Sequence, residues 1–139
     1  MKTLIEEREN KNCSCVIRTS TGEIFTFHRR GVADLYEILS ERPWMLRGAE
    51  IADKVVGKAA AAIMIQGGVV HLHTCVASQS ALDLLKHSDV VVEAEVIVPH
   101  IINRKQTDWC PLEKRCLSLN SVEECIKAIG LFLKEQKLI

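Results

Sequence analysis

The sequence has no hydrophobic run long enough to cross a membrane, since a spanning helix needs about 20 mostly apolar residues. Residues 1–12 are charged and polar and lack the apolar core of a signal peptide, so we expect a cytoplasmic protein with no membrane partner. An excess of basic charge is also absent, because 18 Lys and Arg balance 18 Asp and Glu. Nucleic acid is therefore not an expected partner.

Metal-binding cysteine patterns are missing as well, although the chain has six cysteines. No two of them are spaced as Cys-x-x-Cys, the pair from which zinc ribbons are built. In a reducing compartment such cysteines are mostly free thiols. We therefore expect neither a structural metal nor a cofactor.

The 139 residues, 47% of them hydrophobic, are enough to form the core of one domain. We expect a single domain over residues 1–139, with residues 1–12 as a frayed N-terminal segment. The organising stretch is 53–68, with four consecutive alanines and a Gly67-Gly68 stop signal. It predicts a helix over 49–66 that is the most buried helix of the fold.

The remaining pattern alternates between strands and helices. The expected elements are a hairpin over 15–28, a helix over 32–41, a strand over 69–77, a helix over 80–86 capped by Ser78, a strand near 90–92, a break at 93–95, a strand from 96, a loop over 103–112 and a helix from Ser121 to about 134. This order predicts an α/β fold, a three-layer α/β/α sandwich around a mixed sheet of about five strands.

Four short motifs carry a resemblance to a known family. They are Gly57-Lys58-Ala59-Ala60-Ala61 closing on Gly67-Gly68, Val76-Ala77-Ser78, Asn103-Arg104, and Cys110-Pro111-Leu112-Glu113. Together they resemble a small prokaryotic family, domain of unknown function 1893, over residues 14–133. Members of that family resemble the cytidine deaminase fold, so the resemblance implies a cytidine deaminase-like sandwich.

The chemistry of zinc deaminases does not follow from this resemblance. Those enzymes place His or Cys followed by x-Glu at the start of the central helix, and Pro-Cys-x-x-Cys at the start of the next helix. Residues 52–56 contain no such pattern, and residues 77–81 contain no cysteine. We therefore expect a zinc-free relative that is not a zinc-dependent deaminase, and whether it is an enzyme stays open.

The predicted ligand site lies where the start of the central helix meets the loop over 103–113. A helix N-terminus attracts anions, and arginine binds phosphate or carboxylate in a bidentate manner. We expect a small polar or anionic, nucleotide-like metabolite, with the Lys58 ammonium facing a concavity and paired with an anion or with Glu113 or Asp108. The predicted ligand-binding residues are Asp53, Lys58, Ser78, Asn103 and Arg104.

Two other interpretations stay open. In one, Cys110 is a nucleophile assisted by Glu113, because a thiol near Arg104 would be more reactive. In the other, the chain is a protein-interaction module without a catalytic site, and it is compatible with a homo-oligomer. His71, His73 and Cys75 alternate along one strand, so they either share a metal ion or fill space between sheet and helix.

Overall fold

The computed structural model describes residues 4–6, 9, 15–28, 32–101 and 110–136. Its strands are β1 (Cys15–Arg18), β2 (Ile24–Phe27), β3 (Glu50–Val56), β4 (His71–Ser78) and β5 (Val91–Val98). Its longer helices are α1 (Ala33–Glu41), α2 (Lys58–Gly67), α3 (Gln79–Lys86), α4 (Pro111–Leu117) and α5 (Val122–Glu135). A short 3₁₀ turn, Pro43–Met45, follows α1.

The five strands form one mixed sheet in the order β2-β1-β3-β4-β5. Strand β1 is antiparallel to both β2 and β3, whereas β3, β4 and β5 are parallel to one another. Parallel neighbours need a crossover connection, and α2 and α3 provide the two crossovers. The carboxyl ends of β3 and β4 therefore lie side by side, each followed at once by a helix.

Helix α2 lies at the centre of the helical core. Its side chains from Lys58 to Met64 are all buried, and it packs against each of the other four helices. The small alanines allow these neighbours to approach closely. The glycine stop is also confirmed, because Gly68 adopts the left-handed conformation with φ of 85°.

The predicted start of the central helix is wrong. Residues 50–56 form β3, which pairs with β1 on one side and β4 on the other, and the helix begins only at Lys58. In a continuous apolar run, hydrophobic periodicity cannot distinguish a buried strand from a buried helix. The β-branched Ile51, Val55 and Val56 suit the central strand, and pairing on both sides fixes it there.

The predicted break at 93–95 is also wrong. Strand β5 runs without interruption and pairs with β4 from Val91 to Val98. The two glutamates fit within it because β5 is half exposed, and alternate residues of a strand point to opposite faces.

Local signals predicted the turns and caps correctly. The hairpin of β1 and β2 and helix α1 lie where expected. Ser78 accepts a hydrogen bond from the Ala81 amide at 3.2 Å and caps α3. Ser121 accepts one from the Glu124 amide at 3.1 Å and caps α5.

The two faces of the sheet have separate apolar clusters. The larger cluster joins residues of α1 to α5 with Ile17, Ile51 and Leu72. Val16 and Ala52, adjacent to these in sequence, point to the opposite face and pack with Leu4. In the described part of the chain, no helix has the length and apolar character needed to traverse a bilayer.

Candidate functional site at the carboxyl edge of the sheet

The most connected polar group of the interior is the carboxylate of Glu113, in the first turn of α4. It is only 3% exposed. Its Oε1 accepts hydrogen bonds from the Lys58 amide at 3.1 Å, the Ser78 hydroxyl at 3.1 Å and the Ser80 hydroxyl at 2.8 Å. Its Oε2 accepts one from the Ile101 amide at 3.3 Å. Four donors compensate for the burial of the carboxylate.

Gly57, between β3 and α2, gives this carboxylate room to approach. A Cβ atom at Gly57 would lie 2.7 Å from Oε2 of Glu113, closer than real Cβ contacts come. The backbone here is ordinary, with φ of −96°, so space and not conformation requires glycine. Because a helix N-terminus carries partial positive charge, it favours the carboxylate. The anion site predicted at the start of α2 is thus occupied by the chain's own Glu113.

The Lys58 side chain takes a path that was not expected. Its ammonium donates to the carbonyl oxygens of Leu117 at 3.1 Å and Leu119 at 2.5 Å, and the residue is 8% exposed. It thereby satisfies carbonyl groups at the end of α4. The expected ion pair between the Lys58 ammonium and Glu113 is wrong. The ammonium donates to the two carbonyl oxygens instead, and Glu113 accepts from the backbone amide of Lys58. The assignment of Lys58 to a ligand site stays a prediction.

The structure brings the predicted residues Ser78 and Glu113 into contact, whereas Asp53 lies within strand β3. Asp53 is inside β3, opposite Cys15 and Thr74, and its Oδ1 accepts a hydrogen bond from the Lys54 amide at 2.8 Å. Its predicted position in the first turns of the central helix is therefore wrong. Asn103, Arg104, Asp108 and Trp109 lie outside the described residues.

Cys110 lies at the start of α4, directly before Pro111. Its amide donates to the Ile101 carbonyl at 2.7 Å, and the residue is partly exposed. Proline fits the first position of a helix, where no amide hydrogen bond is lost. This hydrogen bond places the backbone of Cys110 beside Ile101, whose own amide donates to Glu113.

Sequence reasoning missed Ser80 and Ile101. A second serine two residues after the Ser78 cap was the available signal for Ser80, because its hydroxyl lies at the same helix start. The amide of Ile101 left no signal in the sequence, since any residue but proline provides one.

Beneath this site lies a pair of buried thiols, Cys116 of α4 and Cys125 of α5. The hydrogen bond between them raises the pKa of Cys116, and burial raises it further. The same hydrogen bond lowers the pKa of Cys125 to about 7; burial opposes this shift and the nearby charge of Lys58 assists it. The interaction therefore favours ionisation of Cys125 over that of Cys116.

The alternating histidines of β4 contact glutamates on the neighbouring strands. His71 lies 2.6 Å from Glu93 and 3.7 Å from Glu50, and His73 lies 3.6 Å from Glu95. No group of three His, Cys, Asp or Glu residues within the described ranges is arranged to hold a metal ion.

Comparisons with known proteins agree on a family. A family model described as Domain of unknown function (DUF1893) matches residues 3–133. The crystal structure of a DUF1893 family protein from Thermotoga maritima is similar, with a TM-score of 0.83 and 24% identity, over 92% of this chain and 86% of that chain. At this identity the likeness shows the fold alone. No curated protein matches the chain.

Proposed function

This chain belongs to the DUF1893 family. We propose that it binds a small polar, nucleotide-like metabolite beside Glu113. The observation that carries the proposal is the buried carboxylate with four donors at the ends of β3 and β4. Open α/β sheets bind their ligands outside the carboxyl ends of the strands. Convergent polar groups in an otherwise apolar interior are typical of such sites.

The charge at this position favours a ligand that donates hydrogen bonds. Glu113 already satisfies the start of α2, so a phosphate group there would meet a negative charge. Among the described residues its Oε2 accepts one hydrogen bond, from the Ile101 amide at 3.3 Å, and a carboxylate oxygen has a further lone pair. An amino or amide edge, as in a nucleobase, suits that acceptor. Asn103 and Arg104 remain the predicted contacts for an anionic group on the same ligand.

We extend the proposal to the finer class of the fold, a cytidine deaminase-like three-layer sandwich without the zinc chemistry. The mixed sheet, the two crossover helices and the Leu4 contact on the second face support this class. The missing ligand motifs of the sequence support a zinc-free site. A single domain spanning the chain also remains a proposal.

The test is a thermal-shift screen with nucleobases, nucleosides and nucleoside monophosphates, followed by calorimetric titration of any hit. A ligand at 100 times its Kd stabilises the folded state by about 2.7 kcal/mol, which a melting experiment detects. We expect Ser80→Ala to weaken binding, because it removes the 2.8 Å hydrogen bond that positions Oε1 of Glu113.

The matched control is Ser88→Ala, which removes a serine hydrogen bond to the Leu85 carbonyl at the other end of α3. It should leave binding unchanged. A screen in which no compound raises the melting temperature would sink the proposal, as would equal weakening by the two serine variants.

A cysteine-dependent enzyme remains the second candidate because Cys110 is partly exposed and its amide binds the carbonyl of Ile101, whose own amide donates to Glu113. It predicts that iodoacetamide at neutral pH modifies Cys110 ahead of the buried Cys116, as read by peptide mass spectrometry. It further predicts a substrate turnover that Cys110→Ser abolishes while ligand binding is retained. Turnover that survives Cys110→Ser would eliminate this candidate.

A further inference from the structure

Strand β5 forms an exposed edge of the sheet. Within the described ranges its only strand neighbour is β4, and it is eight residues long, whereas β2 at the opposite edge has four. Val91, Val96 and Ile97 are 60%, 52% and 56% exposed. An edge with unpaired backbone groups and exposed aliphatic residues is a template for another strand.

The side chains along this edge follow a regular order. By the two-residue period of a strand, Val91, Glu93, Glu95 and Ile97 follow one another on one face. The two glutamate side chains are 59% and 56% exposed. The edge therefore presents two carboxylates between two aliphatic residues, an order that reads the same in both directions.

A second copy of the chain is a poor occupant of this edge. In a symmetric antiparallel pairing centred on Ala94, Val91 of one copy would face Ile97 of the other, which is favourable. The same register places Glu93 opposite Glu95, twice. Like charges directly opposite one another across strands are destabilising, and charged residues are a known protection of edge strands.

The same carboxylates favour a partner of opposite charge. On this face the Arg18 guanidinium is already paired with Glu50 at 2.6 Å, and so it does not neutralise the edge. Glu93 and Glu95 contact the rings of His71 and His73, and more than half of each glutamate side chain remains exposed. A cationic side chain opposite each glutamate would complete a favourable cross-strand pair.

We propose that the β5 edge binds an extended segment of a partner protein that carries Lys or Arg at two alternate positions between aliphatic residues. The segment adds a sixth strand to the sheet. Main-chain hydrogen bonds supply affinity, and the alternate side chains supply specificity, as in other cases of strand addition. The glutamates have two effects: they disfavour pairing with a second copy of the chain, and they favour a strand with basic side chains.

The first test mixes the chain with its own charge-reversed variant, Glu93→Lys with Glu95→Lys. In the antiparallel register each lysine then faces a glutamate and the aliphatic contacts are kept. We expect the mixture to form a 1:1 complex by sedimentation velocity, while each protein alone remains monomeric. A circular dichroism melt confirms that the variant is folded. A mixture without the complex, or a complex formed equally by the wild-type chain alone, would overturn the proposal.

The second test does not depend on the variant folding. Two synthetic peptides carry the sequence of Val91–Val98 between polar solubilising residues, one native and one with both glutamates changed to lysine. The wild-type chain should bind the lysine peptide about tenfold more tightly, which corresponds to about 1.4 kcal/mol. Equal affinity for the two peptides, or no binding of either, contradicts the charge selection.

N-methylation of the lysine peptide tests strand addition itself. Only alternate amides of an added strand donate to its neighbour. Methylation of one alternate set should abolish binding, and methylation of the other set should leave it intact. If both methylated peptides bind as the parent does, the contact is not a strand addition.

Discussion

Glu113 accepts a hydrogen bond from the backbone amide of Lys58 at 3.1 Å across a separation of 55 residues. The side chain of the same lysine returns in the opposite direction and binds the carbonyls of Leu117 and Leu119. Helices α2 and α4 are thus joined at both ends of α4. The candidate site and the packing of these two helices depend on the same contacts.

Gly57→Ala should destabilise the fold. The added Cβ atom would meet Oε2 of Glu113 at 2.7 Å, so the carboxylate or the backbone must shift. We expect a loss of about 1–3 kcal/mol in the free energy of unfolding, measured by urea titration. A double-mutant cycle with Glu113→Asp assigns the cause, because the shorter side chain retracts the carboxylate. An unchanged effect of Gly57→Ala in that background would show that the clash lies elsewhere.

Lys58→Met should also destabilise the protein. Methionine retains an apolar stem of similar length, but leaves two carbonyl oxygens at the end of α4 without their donor. We expect a loss of about 1–3 kcal/mol, measured by urea denaturation. The matched control is Lys54→Met, a change at an exposed lysine of β3, expected to change stability by less than about 0.5 kcal/mol. Equal effects of the two changes would contradict a structural role for the buried ammonium.

The thiol pair should titrate near neutral pH. Because the hydrogen bond from Cys116 lowers the pKa of Cys125 to about 7, thiolate absorbance at 240 nm should rise with a midpoint near that pH. The Cys125→Ala variant should lose this transition, whereas Cys15→Ala should retain it. A native protein with no thiolate signal below pH 8 would contradict the assignment.

The same shift gives stability a defined pH dependence. A thiol whose pKa is lower in the folded state stabilises that state above its ordinary pKa of about 8.5, and this contribution is lost as the pH falls through about 7. The free energy of unfolding of the wild type should therefore increase between pH 7 and 8.5 relative to that of Cys125→Ala. Parallel curves for the two proteins would show that this thiol does not ionise differently on unfolding.

The ion pair of Arg18 and Glu50 should make a small contribution to stability that depends on pH in the acid range. The hydrogen bond from Arg18 is the main cause that holds the pKa of Glu50 below its usual value, with burial opposing it. Arg18→Gln should therefore raise the pKa of Glu50, as followed by carbon NMR titration of its carboxyl group. The stability that the pair provides is present above the unfolded pKa and is lost as the pH falls through the folded one. The effect should be small because both side chains are partly exposed.

The family was predicted from four motifs, and the match over residues 3–133 confirms it. The mixed character of the sheet and its number of strands also agree with the prediction, although β3 was predicted as helix and β5 as two strands. Strand β3 was not predicted, because an apolar stretch without a hydrophobic period fits a helix and a central strand equally well. Only the pairing of β3 with both β1 and β4 decides between them.

The sequence by itself determined the features that act within about four residues of the chain. The Ser78 and Ser121 caps and the left-handed Gly68 are of this kind, since each follows from local backbone geometry. Tertiary structure decided what Glu113 and Lys58 do. Their partners are brought near only when the parallel strands align and α4 packs against α2, and no local pattern encodes a contact over 55 residues. The carboxylate at the start of α2 was therefore beyond sequence reasoning, although both residues had been singled out.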